Sequence, residues 1–343
     1  MRLHRFVLFS GATLLLLVTA LTMLTPLSIY VFLPTQSPPL FLPYRHRGFV
    51  SFASSSSSPP SSPPLVVLIT GLLNRFTYAA GTASYDGCHV VIVLQDTGLD
   101  VDEEAFAGGD FNKPVSPPYD MSASSIKAHY IQKGAISVTV QLLTTSEVDS
   151  LTPSLRSVVP PLRSPKFERN VRMLTLRSLA YESSLHLPHP FPEASAARLY
   201  VREDNYFLDD NFQVQSLKAL CPKSGYCYVV DKHCPQVGTG YIHKGWADKI
   251  YLLSGTAAER MFSGATATEN VKKYWPPGSN SEQYLSNLMQ SSGYVPSTAD
   301  FRRTEVRFVA GVEEPCVAAY GGCNSGMEGA GVKMCPKGPR GEG

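Results

Sequence analysis

Two short runs of apolar, mostly β-branched residues constrain this chain most: Leu65 to Thr70 reads LVVLIT, and Val90 to Leu94 reads VVIVL. Continuous apolar runs of that length, without polar alternation, are what strands covered on both faces produce, and such burial suggests a parallel sheet. Parallel neighbours need crossover segments, and the sequence supplies them. Ser122 to Lys133 (SASSIKAHYIQK) opens on cap-forming serines and is followed by Gly134, so both ends of a helix are marked. Ile136 to Leu143 (ISVTVQLL) then reads as a strand and Lys166 to Leu185 as the longest helix. Ala197 to Val201, Tyr226 to Val230 and Lys249 to Leu253 read as further strands. This alternation predicts an α/β layered fold, with no internal repeat and no coiled-coil heptads.

Composition bounds the rest. Of 343 residues, 43% are hydrophobic and 17% charged, which excludes wholesale disorder. Thirty Lys and Arg against 28 Asp and Glu leave a net charge of +2, so no global field draws the chain to nucleic acid. Phe6 to Leu33 carries no charge and exceeds the roughly 20 apolar residues of a membrane-spanning helix. Arg2, His4 and Arg5 precede it, which predicts a cytosolic tip over 1–5, a signal anchor over 6–33 and type II topology. A cleaved signal peptide is the competing reading. The Pro/Ser-rich stretch 34–64 reads as a stem, 65–312 as the globular domain, and 313–343 as a Gly-rich flexible tail.

Seven cysteines fit an oxidising lumen, and their odd number leaves at least one unpaired. Cys221, Cys227 and Cys234 lack the spacing of a zinc knuckle, so disulfides or buried thiols are expected. No Asn-x-Ser/Thr sequon adds evidence on the compartment.

The densest polar cluster follows a predicted strand: Arg202, Glu203, Asp204 and Asn205 stand between LYV and YFL. In open α/β sheets ligands bind outside the carboxyl ends of strands, where loops converge. A carboxylate there can ligate a hard divalent cation that bridges diphosphate oxygens, and an adjacent Arg can grip phosphate. The other reading is a surface turn with a local salt bridge. Arg163, Lys166, Arg169, Arg172 and Arg177 either face a diphosphate or form a solvated helix face. Trp246, Trp275, Tyr241 and Tyr274 either stack on a sugar ring or pack in the core. Serine-hydrolase elbows, P-loops and His-Glu-x-x-His pairs are missing from the sequence.

From Leu65 to about Val309 the chain resembles GT-A glycosyltransferases, in particular the WavE-like group of surface-polysaccharide synthesis. LVVLITGLLNRF (Leu65–Phe76) is similar to that group's opening strand and Gly-x-x-x-Arg-Phe turn, and LYVREDNYFL (Leu199–Leu208) to its strand ending in Arg-x-Asp. ADKIYLLSGTAAERMF (Ala247–Phe262) followed by NSEQYLSNLM (Asn280–Met289) completes the ordered set. The resemblance implies a GT-A-like, Rossmann-like mixed sheet flanked by helices and preceded by one transmembrane helix. It implies a Golgi or other secretory-lumen enzyme that moves a sugar from a nucleotide-sugar donor to a glycan or glycoconjugate acceptor with Mn²⁺ or Mg²⁺.

On the same resemblance, Asp204 with Glu203 would bind the metal, while Arg202, Gly71, Asn74 and Arg75 would belong to the nucleotide-sugar pocket. The chain departs from the pattern in having no clean Asp-x-Asp, because Asn205 stands where a second acid could be. Asp209 and Asp210 read better as the opening of a helix. An inverting transfer would need a base, for which Asp248 and Glu282 are candidates. Glu282 equally completes a capping box with Ser279, and Asp248 equally forms a turn pair with Lys244 or Lys249. A membrane-tethered binding or scaffold protein without turnover is the alternative reading.

Overall fold

The computed structural model describes residues 64–97, 117–158, 165–187, 196–203, 205–207, 212–221, 228–231, 250–275, 281–291, 297–299, 303–308 and 316–317. The expected anchor and nearly all of the stem, Asp204, Asp209, Asp210, Tyr241, Trp246, Asp248 and most of the tail lie outside these residues. Among the described residues no helix is long and apolar enough to cross a membrane.

The apolar runs form strands where the sequence predicts them. Strands β1 (Leu65–Leu72), β2 (Cys88–Asp96), β3 (Ser137–Thr144) and β4 (Arg198–Arg202) are adjacent and parallel, in the order β3-β2-β1-β4. Beyond β4 the sheet turns mixed, as the resemblance implied and the buried apolar runs by themselves did not. Strand β7 (Ile250–Leu253) lies antiparallel between β4 and β6 (Tyr228–Asp231), and β8 (Ser297–Ala299) closes the seven-stranded order beside β6. A three-stranded sheet joins β5 (Asn205–Phe207), β9 (Arg303–Arg307) and β10 (Cys316–Val317), with no sequence expectation behind it.

Burial on both faces explains why the central strands lack polar alternation. Leu65, Val67 and Ile69 of β1 pack with Ile126 and Tyr130 of helix α1 (Ala123–Gln132). Val66 and Leu68 pack the opposite way, with Val171, Leu174 and Tyr181 of the long helix α4 (Pro165–Leu185). Helices α5 (Gly255–Phe262), α6 (Gly264–Tyr274) and α7 (Ser281–Ser291) join this second layer through Met261, Val271 and Leu285.

Helix α1 starts where its cap dictates: the Ser122 hydroxyl accepts the Ser125 N–H at 3.3 Å. Its end is followed by Gly134 at φ 92°, a conformation L side chains avoid. Helix α2 (Thr145–Leu151) begins with a reciprocal capping box between Thr144 and Glu147, and the short helix α3 (Pro153–Val158) follows it. Asp149 at the end of α2 receives Arg172 of α4 at 2.8 Å and Arg156 of α3 at 3.0 Å, tying the three helices together.

The basic residues of α4 do not form one solvated face. Arg177 is fully buried; its Nε donates to the Tyr200 hydroxyl at 3.0 Å, and its guanidinium lies 4.8 Å from that ring's centre. The same hydroxyl meets Thr70 of β1, so a polar link crosses the α4 face of the sheet. Trp275 is buried and stacked on Tyr284 at 5.1 Å, which gives it a core role. Cys221 and Cys316 are each disulfide-bonded, whereas Cys88 is a buried free thiol. Cys316 is buried within β10, so strand structure extends past residue 312 into the segment read as tail.

Candidate functional site

Topology selects one edge of the sheet. From β1 the chain moves outward through β2 and β3, and α4 then returns it to β4 on the other side of β1. The carboxyl ends of β1 and β4 therefore flank a switch point, where the loops that follow diverge and leave a crevice. Gly71 ends one strand, and Arg202 and Glu203 end the other.

The two ends are joined by close contacts. The Glu203 N–H donates to the Thr70 carbonyl at 3.2 Å, continuing the β1–β4 pairing by one step. Strand alternation then aims the Glu203 side chain at the α1 face, the face that carries Ile69 and Val201. There it lies against Gly71, where an added Cβ would stand 1.9 Å from Glu203 Oε2. Gly71 also has φ 151°, so the position favours glycine in both space and backbone. A single 3-10 turn, Leu73–Arg75, folds the chain back and brings Arg75 Nε to 3.5 Å from Glu203 Oε1. Both side chains are at most 5% exposed, so a buried ion pair lies beneath the corner.

Asn74, in the same turn, donates from Nδ2 to Thr97 Oγ1 at 3.3 Å, which anchors the turn beyond the end of β2. Its Oδ1 is buried and has no hydrogen-bond partner among the described residues. On the other side of the corner, Asn205 Nδ2 donates to the Arg202 carbonyl at 3.4 Å, and Asn205 pairs with Glu305 of β9. Asp204 stands in sequence between these two fixed residues.

Beside the corner is a small, partly open recess of about 20 Å³, with Arg202, Glu203 and Asn205 in its lining. Phe76, Tyr78, Tyr130 and His129 line it as well and give it an aromatic wall. Phe76 stacks on Tyr130 at 6.5 Å, while Tyr78 meets His129 edge-on at 5.1 Å and donates its hydroxyl to the Asp120 carbonyl at 2.7 Å. Burial, with nearby Lys133 adding to it, lowers the His129 pKa, so its neutral form is favoured at pH 7. The recess sets aromatic faces next to a few polar groups, as small-molecule sites do, but a nucleotide would have to lie across its open mouth rather than inside it.

Of the residues singled out in the sequence, Gly71, Arg75, Arg202 and Glu203 come together, and Asn74 sits in the adjoining turn. Asp204 and Asp248 are outside the described residues; Glu282 lies in the first turn of α7 with its side chain outside them. One Glu203 oxygen faces Arg75 and the other faces Gly71, an arrangement that suits a strut better than a cation ligand. Among the described residues no group of three or more His, Cys, Asp or Glu gathers. The aromatic wall was not anticipated, although Phe76 and Tyr78 follow the first strand within six residues.

No protein-family model and no curated protein matches the sequence. Among solved structures, the chain is similar to apo mouse xyloside xylosyltransferase 1 at 8% identity and TM-score 0.36, over 69% of this chain and 85% of that one. It is similar to the apo form of the glycosyltransferase GlyE of Streptococcus pneumoniae TIGR4 at 11% identity and TM-score 0.36, over 70% of this chain and 46% of that one. The alignment thus spans a little under half of GlyE. Superpositions this loose decide nothing about chemistry, and the resemblance to the WavE-like group has no family match behind it.

Proposed function

We propose that the domain transfers a sugar from a nucleotide-sugar donor to a glycan or glycoconjugate acceptor. The observation that carries this reading is the position of the Arg202–Asn205 corner, at the switch-point edge of β1 and β4 and beside an aromatic-walled recess. In this reading the nucleotide's planar base lies against the aromatic wall. Arg202 faces the diphosphate.

Asp204 is the residue proposed to hold Mn²⁺ or Mg²⁺, which would neutralise the charge developing on the departing diphosphate. Glu203 and Arg75 hold the corner's backbone in place. Asp248 and Glu282 remain the candidate bases for an inverting transfer, and the reading does not select inverting over retaining chemistry. The proposed setting is a type II membrane protein of the Golgi or another secretory compartment, with its domain in the lumen. The uncharged run 6–33 and the disulfides of Cys221 and Cys316 support it.

A screen of common nucleotide sugars for donor hydrolysis and transfer tests the activity, with Asp204→Ala as the control variant. Metal-dependent nucleotide release is expected from the native protein, at least a hundredfold weaker in the variant. An inert native protein would sink the enzymatic reading; metal-dependent release unchanged in Asp204→Ala would remove Asp204 as the ligand.

A further inference from the structure

The recess beside the corner is small enough to limit what enters it. Room of about 20 Å³ holds one water-sized group, so a hydroxyl or a water fits and a sugar ring or a nucleobase does not. Its ionisable lining consists, among the described residues, of Tyr78, Tyr85, His129, Tyr130, Arg202 and Glu203. Phenols titrate near 10, and burial raises Tyr78 and Tyr85 further. Arg202 stays a cation, and the Glu203 carboxylate is engaged by Arg75 at 3.5 Å. Of this set only the His129 imidazole can take up and release a proton near neutral pH.

Its placement suits that use. His129 sits in the last turn of α1, a regular helix, and its ring meets Tyr78 at 5.1 Å and Tyr130 at 5.4 Å, both edge-on. It is half-buried, whereas Tyr130 beside it is only 4% exposed. The charged groups nearby come from several elements. Lys133 follows one turn along α1, and Arg202 and Glu203 share the lining. The Asp120 carboxylate, next to the carbonyl that takes the Tyr78 hydroxyl, is occupied by Ser122 and Ser125, and Asp86, beside Tyr85, by Ser84. Burial first, then Lys133, lowers the His129 pKa from 6.5, so at pH 7 the ring is neutral and keeps one nitrogen as an acceptor.

We propose, with sugar transfer as the domain's activity, that His129 is the base that accepts the proton of the attacking hydroxyl, which enters the recess while the nucleotide sugar lies across its mouth. As the hydroxyl oxygen bonds to the anomeric carbon, the bond from that carbon to the diphosphate breaks, and the diphosphate leaves with the electron pair. The hydroxyl proton passes to the imidazole and from there to solvent. A single displacement with a dedicated base inverts the anomeric centre. His129 then fills the role for which Asp248 and Glu282 are the sequence candidates.

The pH profile of transfer tests this, on the full chain in detergent with Mn²⁺ and the donor selected from a screen of uridine-, guanosine- and cytidine-linked sugars. In the native protein kcat should be level at alkaline pH and fall roughly tenfold per pH unit below the His129 ionisation, which lies under 6.5. His129→Gln should lower that level by about a hundredfold or more and remove the acid limb. Lys133→Met takes away the like charge beside His129 and should move the limb to higher pH without changing the alkaline level. A packing role for His129 would give no such movement, and this variant carries the test if circular dichroism shows His129→Gln unfolded. The product should have the inverted anomeric configuration by NMR. An acid limb that persists in folded His129→Gln, a limb that Lys133→Met leaves in place, or a product of retained configuration would each overturn the assignment of His129. A native protein inactive with every donor at every pH would sink sugar transfer itself, and the base with it.

Discussion

Replacing Gly71 by Ala perturbs the corner at its tightest point. The new Cβ would stand 1.9 Å from Glu203 Oε2, 2.1 Å from its Cδ and 2.8 Å from its Cγ, so the carboxylate must leave. At φ 151° the alanine also carries backbone strain of about 1–3 kcal/mol. Driving Glu203 off Arg75 breaks a buried ion pair, which costs about 3–5 kcal/mol. Together these give about 4–8 kcal/mol, comparable with the whole stability of an ordinary domain. In a Glu203→Ala background the clash is gone and only the strain remains, about 1–3 kcal/mol. The two substitutions should therefore couple by about 3 kcal/mol or more, well outside the ~0.5 kcal/mol scatter of independent sites. Urea unfolding of the four proteins of the cycle, expressed from residue 64 and followed by circular dichroism, measures the coupling. If Gly71→Ala costs the same with and without the Glu203 carboxylate, the proposed contact does not exist and the corner is built differently.

Four further outcomes follow from the fold. Tyr200→Phe removes the buried hydroxyl that joins Thr70 to Arg177 and should cost about 1–3 kcal/mol in the same unfolding assay, non-additively with Thr70→Val. Ser122→Ala removes the α1 cap and should cost about 1 kcal/mol, with Ser122→Asp restoring most of it. Burial first, then Asp86, pushes the Cys88 thiol up to about 12, so iodoacetamide at pH 8 should leave it unmodified in the native protein and label it in urea; peptide mapping that finds native labelling would contradict its burial. The Arg172 hydrogen bond lowers the Asp149 pKa below 3.8, burial opposes, and Arg156 assists. A depressed carboxylate stabilises the fold above its unfolded pKa and loses that contribution as pH falls through the folded value. The stability gap between native protein and Asp149→Asn should therefore shrink on acidification below 3.8, and a gap constant from pH 7 to pH 3 would refute the pairing.

What the sequence made legible was local. β1, β2, α1 and β4 are written in apolar runs and caps that act over a few residues, and their ends fall within two residues of expectation. Strand direction is not local: the run at β7 reads the same in either sense, and its antiparallel insertion between β4 and β6 depends on how the chain returns. Strands β5 and β10 are too short to leave a pattern, so the sheet that holds Asn205 was invisible. Arg177 looked like part of a charged face because spacing along α4 was counted without its neighbour; Tyr200 turns it into a buried hydrogen-bond donor.

The corner itself shows how a cluster in sequence differs from a cluster in space. Adjacent charges from Arg202 to Asn205 suggest groups acting jointly on one ligand, but strand alternation separates neighbours, and Glu203 turns inward toward Arg75. The pair adds little net stability relative to apolar residues of the same size, because each charge loses its water. Its effect is positional. Glu203 is held by its N–H on Thr70 and its carboxylate on Arg75, and Asn205 by its pairing to β9, so the backbone on both sides of Asp204 has little freedom. A group carried on such a corner reaches its ligand without an ordering step at the moment of binding, which is where preorganised sites gain over flexible loops. The buried acid therefore has a role of its own, which is to fix the platform, whatever ligand the proposed function assigns to the acid that follows it in sequence.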